Sequence, residues 1–274
     1  MKRTILYVWT AVAGLSLIVA ICVYSGVFSD KLKVNKYLKE KELLAKYKNN
    51  IYSADTIDSL LNRNSPVMLV VGAIGCSTCD MILLSDVPKK LNIQRYFIEK
   101  KSHPANDLLV QALYASGAPT SFVIDRDYNI IGAFYGVNEL REKLEGIIAR
   151  QAPVIHTVIP GVLERNMLQM LSCSLQSLNA WLSQDCERMY IKALESLDYG
   201  SYFFNNYLLY IYHTEFDSAN HACYYKSQAL HHIENVGDAI VYETSLKELD
   251  PDNEFLYWLE LHNESISGVA LTEQ

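Results

Sequence analysis

Five consecutive apolar residues, Val67-Met68-Leu69-Val70-Val71, lead almost directly into Cys76-Ser77-Thr78-Cys79, and helical composition follows the pair. An unbroken apolar run of this length reads as a strand buried on both faces, which calls for helices on either side of a sheet. The cysteines then stand at a strand-to-helix turn. A sulfur at that turn faces unpaired backbone N–H groups and the positive end of the helix dipole, both of which favour thiolate. A second sulfur three residues on shares its helical face and can attack a mixed disulfide formed at the first. Cys76 is therefore the candidate nucleophile and Cys79 the resolving thiol. Zinc is the competing use of such a pair, but it normally takes a second ligand pair, and the chain has no further CxxC or CxxH. Neither a metal nor a cofactor is expected.

The surrounding pattern alternates between strand and helix. Ile51-Tyr52 reads as a short strand, and Ser53 or Asp55 as the cap of a helix through Leu61. A helix follows the cysteines to about Lys90, then come a strand at Arg95–Glu99 and a helix at Asn106–Tyr114. Strands at Thr120–Ile124 and Ile130–Tyr135 are joined by a turn at Asp127-Tyr128-Asn129, and a helix spans Asn138–Arg150. Residues 50–150 thus predict one small α/β domain with a mixed sheet.

With these elements in place, the chain resembles the thioredoxin superfamily. The resemblance is carried by CSTC after a strand and by Gly117-Ala118-Pro119-Thr120, whose proline stands 40 residues beyond Cys79. The strand ending in Phe134-Tyr135-Gly136 and the final helix add to it. It implies a thioredoxin-like fold over about residues 50–150, with Pro119 cis and set against an active-site disulfide. It also implies that Ala118, Pro119 and Thr120 form the substrate-binding turn, whose backbone pairs with an extended protein substrate. Two departures stand out. Gly75 replaces the tryptophan usual before the first cysteine, and Val70 replaces a buried acid that assists proton transfer.

The two ends of the chain are different in kind. Lys2 and Arg3 precede an uncharged, mostly apolar run from Thr4 to Ser29, longer than a signal-peptide core and close to the ~20 residues a bilayer requires. Residues 1–30 are read as a membrane anchor, with a cleaved signal as the alternative. Residues 31–49 (KLKVNKYLKEKELLAKYKN) read as a basic amphipathic spacer beside the bilayer, and a plain solvated helix accounts for them equally well. The favoured topology is a single pass through the cell membrane with the body on the extracytoplasmic, periplasmic side. The lysines at 31, 33, 36, 39 and 41 argue the other way under a literal positive-inside count, although long domains translocate largely regardless of charge.

Beyond a linker at 151–160, residues 161–265 read as consecutive helices. Cys186, Tyr190 and Ala193 recur in frame as Ala222, Lys226 and Ala229, a 36-residue interval, so the region resembles an irregular tetratricopeptide array. So few repeats need capping, for which docking on the α/β domain is one route. Cys173, Cys186 and Cys223 are expected to pack as small apolar groups, and the histidines of this region to lie on exposed helix faces. Residues 151–274 hold 17 acidic and 5 basic side chains, which disfavours nucleic acid and suits a protein partner. The leading function is a membrane-anchored thiol-disulfide oxidoreductase acting on an extracytoplasmic protein thiol or disulfide. The alternative is a non-enzymatic scaffold with a degenerate thioredoxin fold and protein-binding helices.

Overall fold

The computed structural model describes residues 45–47, 49–62, 65–73, 75–149, 164–216 and 219–261. The expected anchor, nearly all of the basic spacer, the 151–160 linker and His262 lie outside the described residues. The elements run α1 (Ala54–Leu61), β1 (Val67–Gly72), α2 (Ser77–Leu84), α3 (Val87–Lys90), β2 (Gln94–Glu99), α4 (Pro104–Ala112), β3 (Thr120–Ile124), β4 (Ile130–Tyr135) and α5 (Leu140–Ile148). The helices α6 (Glu164–Leu182), α7 (Cys186–Tyr199), α8 (Phe203–Phe216), α9 (Ala219–His231) and α10 (Val236–Leu249) follow, and residues 254–261 are also helical. Among the described residues no helix is long and apolar enough to cross a membrane.

The sheet is open and mixed, in the order β2-β1-β3-β4. β1 is parallel to β2 and antiparallel to β3, and β3 pairs antiparallel with β4. All six residues of β1 are buried, as the unbroken apolar run requires of a strand covered on both faces. Alternate residues divide between two cores. Val67, Leu69 and Val71 join one continuous apolar cluster with α1, α4 and the helices beyond residue 163. On the other face, a side chain at Gly72 would meet Cys79 of α2, and one at Gly132 would meet Ile147 of α5. The described fold is therefore an α/β domain with a four-stranded open sheet followed by a multi-helix bundle.

Two expected elements come out differently. Ile51-Tyr52 is not a strand. The Tyr52 N–H donates to Asn106 Oδ1 at 2.7 Å rather than to a neighbouring strand, and its buried hydroxyl donates to Asn179 Oδ1 of α6. The helix expected to run to Lys90 breaks at Ser85-Asp86, because Pro88 lacks an N–H and is tolerated only in a helix's first turn. The carbonyls left open at the end of α2 are taken by one guanidinium: Arg95 Nη1 donates to Leu83 O, to Ile82 O at 3.1 Å and to Ser85 O at 2.8 Å. Ser53 does cap α1, accepting from Thr56 N.

The helices after residue 163 form two hairpins, α6 with α7 and α8 with α9. Their close approach is made by serine as much as by alanine. Ser174 and Ser196 hydroxyls lie 3.0 Å apart, and Ser177 Oγ donates to Met189 O at 2.7 Å. Ala193 and Ala229 are fully buried as their spacing predicts, whereas Cys186 is half-buried and Cys223 is exposed, so neither belongs to a closed core. His213 is also a correction. It is 5% exposed and its ring stacks on Tyr225, with Tyr190 edge-on.

The hairpins dock on the α/β domain through α4 and β4. Phe203 stacks on Tyr242 with ring centroids 4.3 Å apart, and Tyr202 Oη donates to Ala112 O at 2.8 Å from a fully enclosed position. Burial, reinforced by the Asp238 carboxylate, pushes the Tyr114 phenol up to about 12, and it donates to Asp238 Oδ1 at 3.1 Å. Ser172 Oγ accepts the Ile130 N–H at 2.8 Å, which satisfies the first residue of β4 from outside the sheet. Ser172→Ala leaves that buried N–H without a partner, and a loss of about 1–3 kcal/mol is expected in a urea titration.

Candidate functional site

Cys76 is the N-cap of α2, with extended backbone at φ −76° and ψ 107°. Its sulfur accepts the Cys79 N–H at 3.3 Å, and its carbonyl accepts the Asp80 N–H at 3.0 Å. The two Cα atoms are 5.3 Å apart and the sulfurs are at disulfide distance. The pair is asymmetric in access. Cys76 is half-buried at the surface, and Cys79 is 0% exposed. An incoming group reaches only the first sulfur, as an attacking and resolving pair requires.

Gly72 explains how Cys79 can be so deeply enclosed. A Cβ at that position would lie 2.6 Å from Cys79 Sγ and 3.2 Å from the Phe97 ring. The strand's last residue is thus bare where the sulfur lies against it. Gly75 answers a different need. Its φ is +89°, a left-handed conformation natural to glycine, and a side chain there would meet nothing within 4 Å. The residue before Cys76 is chosen by backbone geometry rather than by space.

The second predicted group lies at the same end of the sheet. The β1–β3 ladder ends with Val71 opposite Thr120, so Gly72 and Pro119 continue from adjacent strand ends. The Ala118-Pro119 bond is cis. Pro119 O accepts the Gly136 N–H at 3.1 Å, and Thr120 Oγ1 donates to Gly117 O at 2.8 Å, closing the turn on itself. The topology therefore brings the cysteine loop and the Ala118-Pro119-Thr120 turn to one edge, although they are 40 residues apart in the chain.

Two residues of this edge escape sequence reasoning about roles. Tyr135, 53% exposed, lays its ring over Gly117, where a Cβ would come within 2.8 Å, and its hydroxyl donates to Ala118 O at 3.2 Å. An exposed aromatic ending a strand was the only signal. Ser121 lies opposite Val70 in the ladder, is fully buried, and its hydroxyl has no hydrogen-bond partner. Val70 is itself fully buried, so no carboxylate occupies that position.

No group of three or more His, Cys, Asp or Glu with metal-binding geometry occurs among the described residues. Cys173, Cys186 and Cys223 are unpaired. Burial, with Glu195 nearby, pushes the Cys173 thiol up, which makes it a poor nucleophile. No protein-family model matches the chain, and neither a curated protein nor a solved structure matches it. The fold and the cysteine loop therefore carry the functional reading: an open-sheet α/β domain with a cysteine pair positioned like a thioredoxin CxxC loop.

Proposed function

We propose that the chain is a membrane-anchored thiol-disulfide oxidoreductase of the thioredoxin-like kind, acting on an extracytoplasmic protein. The observation that carries this reading is the access asymmetry of a cysteine pair capping α2. In the reducing direction, Cys76 thiolate attacks one sulfur of a substrate disulfide, forming a mixed disulfide and expelling the other substrate sulfur as thiolate. Cys79 thiolate then attacks Cys76 Sγ, which releases the second substrate thiolate and leaves the Cys76–Cys79 disulfide. Two electrons have moved from the pair to the substrate. The same steps reversed oxidise a substrate dithiol.

In this reading Ala118, Pro119 and Thr120 receive an extended substrate segment, and the acidic helices select the partner protein. The anchor and the extracytoplasmic side rest on the uncharged run Thr4–Ser29. The test is an equilibrium titration of the full chain in detergent against glutathione redox buffers, following Cys76 and Cys79 by alkylation. A reversible two-electron couple supports the reading. A pair that neither opens nor closes across the accessible range favours the non-enzymatic scaffold, for which the buried Val70 is the specific support.

Tyr135 gives a finer expectation. Its hydroxyl occupies the Ala118 carbonyl that an incoming strand would compete for. Tyr135→Phe keeps the ring on Gly117 but frees that acceptor, so KM for a protein substrate is expected to fall about two- to fivefold, with kcat unchanged. A higher KM would assign the hydroxyl to substrate contact instead.

A further inference from the structure

The helix that carries the cysteine pair is short. α2 spans eight residues, Ser77–Leu84, and gives way to extended backbone at Ser85. A helix of two turns is marginal without tertiary support. At ~1.5 Å per residue its ends lie roughly 12 Å apart. The negative carbonyl end is therefore near enough to oppose the positive end that faces Cys76.

One strand holds this helix at both ends. β2 runs parallel to β1, with Arg95 opposite Met68 and Phe97 opposite Val70. Arg95 and Phe97 thus share the face of Gly72, on which Cys79 is seated. Phe97, 2% exposed, borders that seat, since its ring lies 3.2 Å from where a Cβ on Gly72 would stand. Two residues earlier on the same face, the half-buried Arg95 reaches the far end of α2. Its Nη1 donates to Leu83 O, to Ile82 O at 3.1 Å and to Ser85 O at 2.8 Å.

The charge of that guanidinium is directed at the helix. Among the described residues Arg95 forms no ion pair, so carbonyl oxygens rather than a carboxylate answer it. A cation on the last carbonyls of a helix offsets the negative end of its dipole. The N–H groups at the other end then face the Cys76 sulfur with less opposition, and thiolate is the form they favour.

We propose that Arg95 is a positioning residue for the cysteine pair: by closing the carbonyl end of α2 it strengthens the positive end at Cys76 and raises the thiolate population of the attacking sulfur. The inference rests on the oxidoreductase reading. A half to a full elementary charge roughly 12 Å away, at an effective dielectric constant of about 20, changes a thiolate population about three- to tenfold.

The test reads the reduced full chain in detergent, freed of reductant and treated with iodoacetamide, with alkylation followed at the Cys76 peptide by mass spectrometry. Arg95→Met is expected to slow alkylation at neutral pH about three- to tenfold and to displace its profile toward higher pH. Arg95→Lys, which keeps a cation able to meet the carbonyls, is expected to recover most of the rate. Ser172→Ala weakens the fold far from α2 and is expected to leave the Cys76 rate unchanged, which separates positioning from general loosening. Should Arg95→Met melt early, Arg95→Gln keeps an N–H donor without the charge and is expected to show the same slowing. An unchanged Cys76 rate in these neutral variants, or equal slowing in Ser172→Ala, overturns the proposal. A wild-type pair with no two-electron couple would sink the oxidoreductase reading instead, because the alkylation rates need no exchange partner.

Discussion

Replacing Cys79 by alanine is expected to convert the protein into a trap that accumulates covalent adducts through Cys76. The half-buried Cys76 still meets a substrate disulfide, but the sulfur that would release the mixed disulfide is gone. In the native pair that sulfur is held with its Cα 5.3 Å from its partner's, so release is intramolecular. Removing it forfeits a high effective concentration, and turnover is expected to fall about a thousandfold. Cys76→Ser is expected to lose turnover equally and to form no adduct, because Cys79 is 0% exposed and cannot be reached by a protein. Non-reducing electrophoresis of membranes, followed by reduction and identification of released proteins, reads both outcomes. If Cys79→Ala yields no reducible adduct and the wild-type pair shows no two-electron couple, the oxidoreductase reading fails.

Gly72→Ala is expected to damage both stability and the pair, from a residue with no reactive group. The added Cβ would fall 2.6 Å from Cys79 Sγ, 3.4 Å from Cys79 Cβ and 3.2 Å from the Phe97 ring. None of these neighbours is a free end. Phe97 is 2% exposed and Cys79 is carried by the first turn of α2. Overpacking of this kind costs about 1–3 kcal/mol, and α2 must move outward to relieve it. Urea unfolding should show that loss, and thiol titration should show a lower disulfide fraction at a fixed glutathione potential. Gly75→Ala is the matched comparison. Its Cβ meets nothing, so only the left-handed conformation is strained, at roughly 1–2 kcal/mol, and pair closure should persist. If Gly72→Ala leaves stability and closure unchanged, the close seating of Cys79 on β1 is wrong.

Much of the α/β domain was legible because local rules and tertiary need coincide there. The apolar run at 67–71 reads as a strand covered on both faces, and Cys76 follows four residues beyond its last residue, Gly72, where a helix cap is wanted. Thr120–Ile124 and Ile130–Tyr135 are strands at the expected bounds, since two short, largely apolar runs flank the turn at Asp127-Tyr128-Asn129. The turn itself is built by Asp125, whose Oδ1 accepts the Asp127 and Asn129 N–H groups at 3.0 and 2.9 Å. Where reading failed, a distant partner decided. Ile51-Tyr52 has strand composition, but Asn106, 54 residues away, takes its N–H. The frame of Cys186 and Ala222 suggested matched packing positions, yet the contacts that join α6 to α7 are made by Ser174, Ser177 and Ser196. A serine that satisfies its own hydroxyl across a helix pair is indistinguishable in sequence from one facing water.

The same division holds for the site. Sequence alone singled out the sulfurs proposed to carry the chemistry and which of them begins the helix, because a strand, a CxxC and a helix in succession leave the cap to Cys76. It also pointed to Pro119. Only the tertiary structure decided that Cys79 is sealed while Cys76 is reachable, that Gly72 provides the space for that sealing, and that Tyr135 covers the turn. Period and propensity act over a few residues, whereas access, close approach and uncompensated charge depend on what a fold brings from elsewhere in the chain.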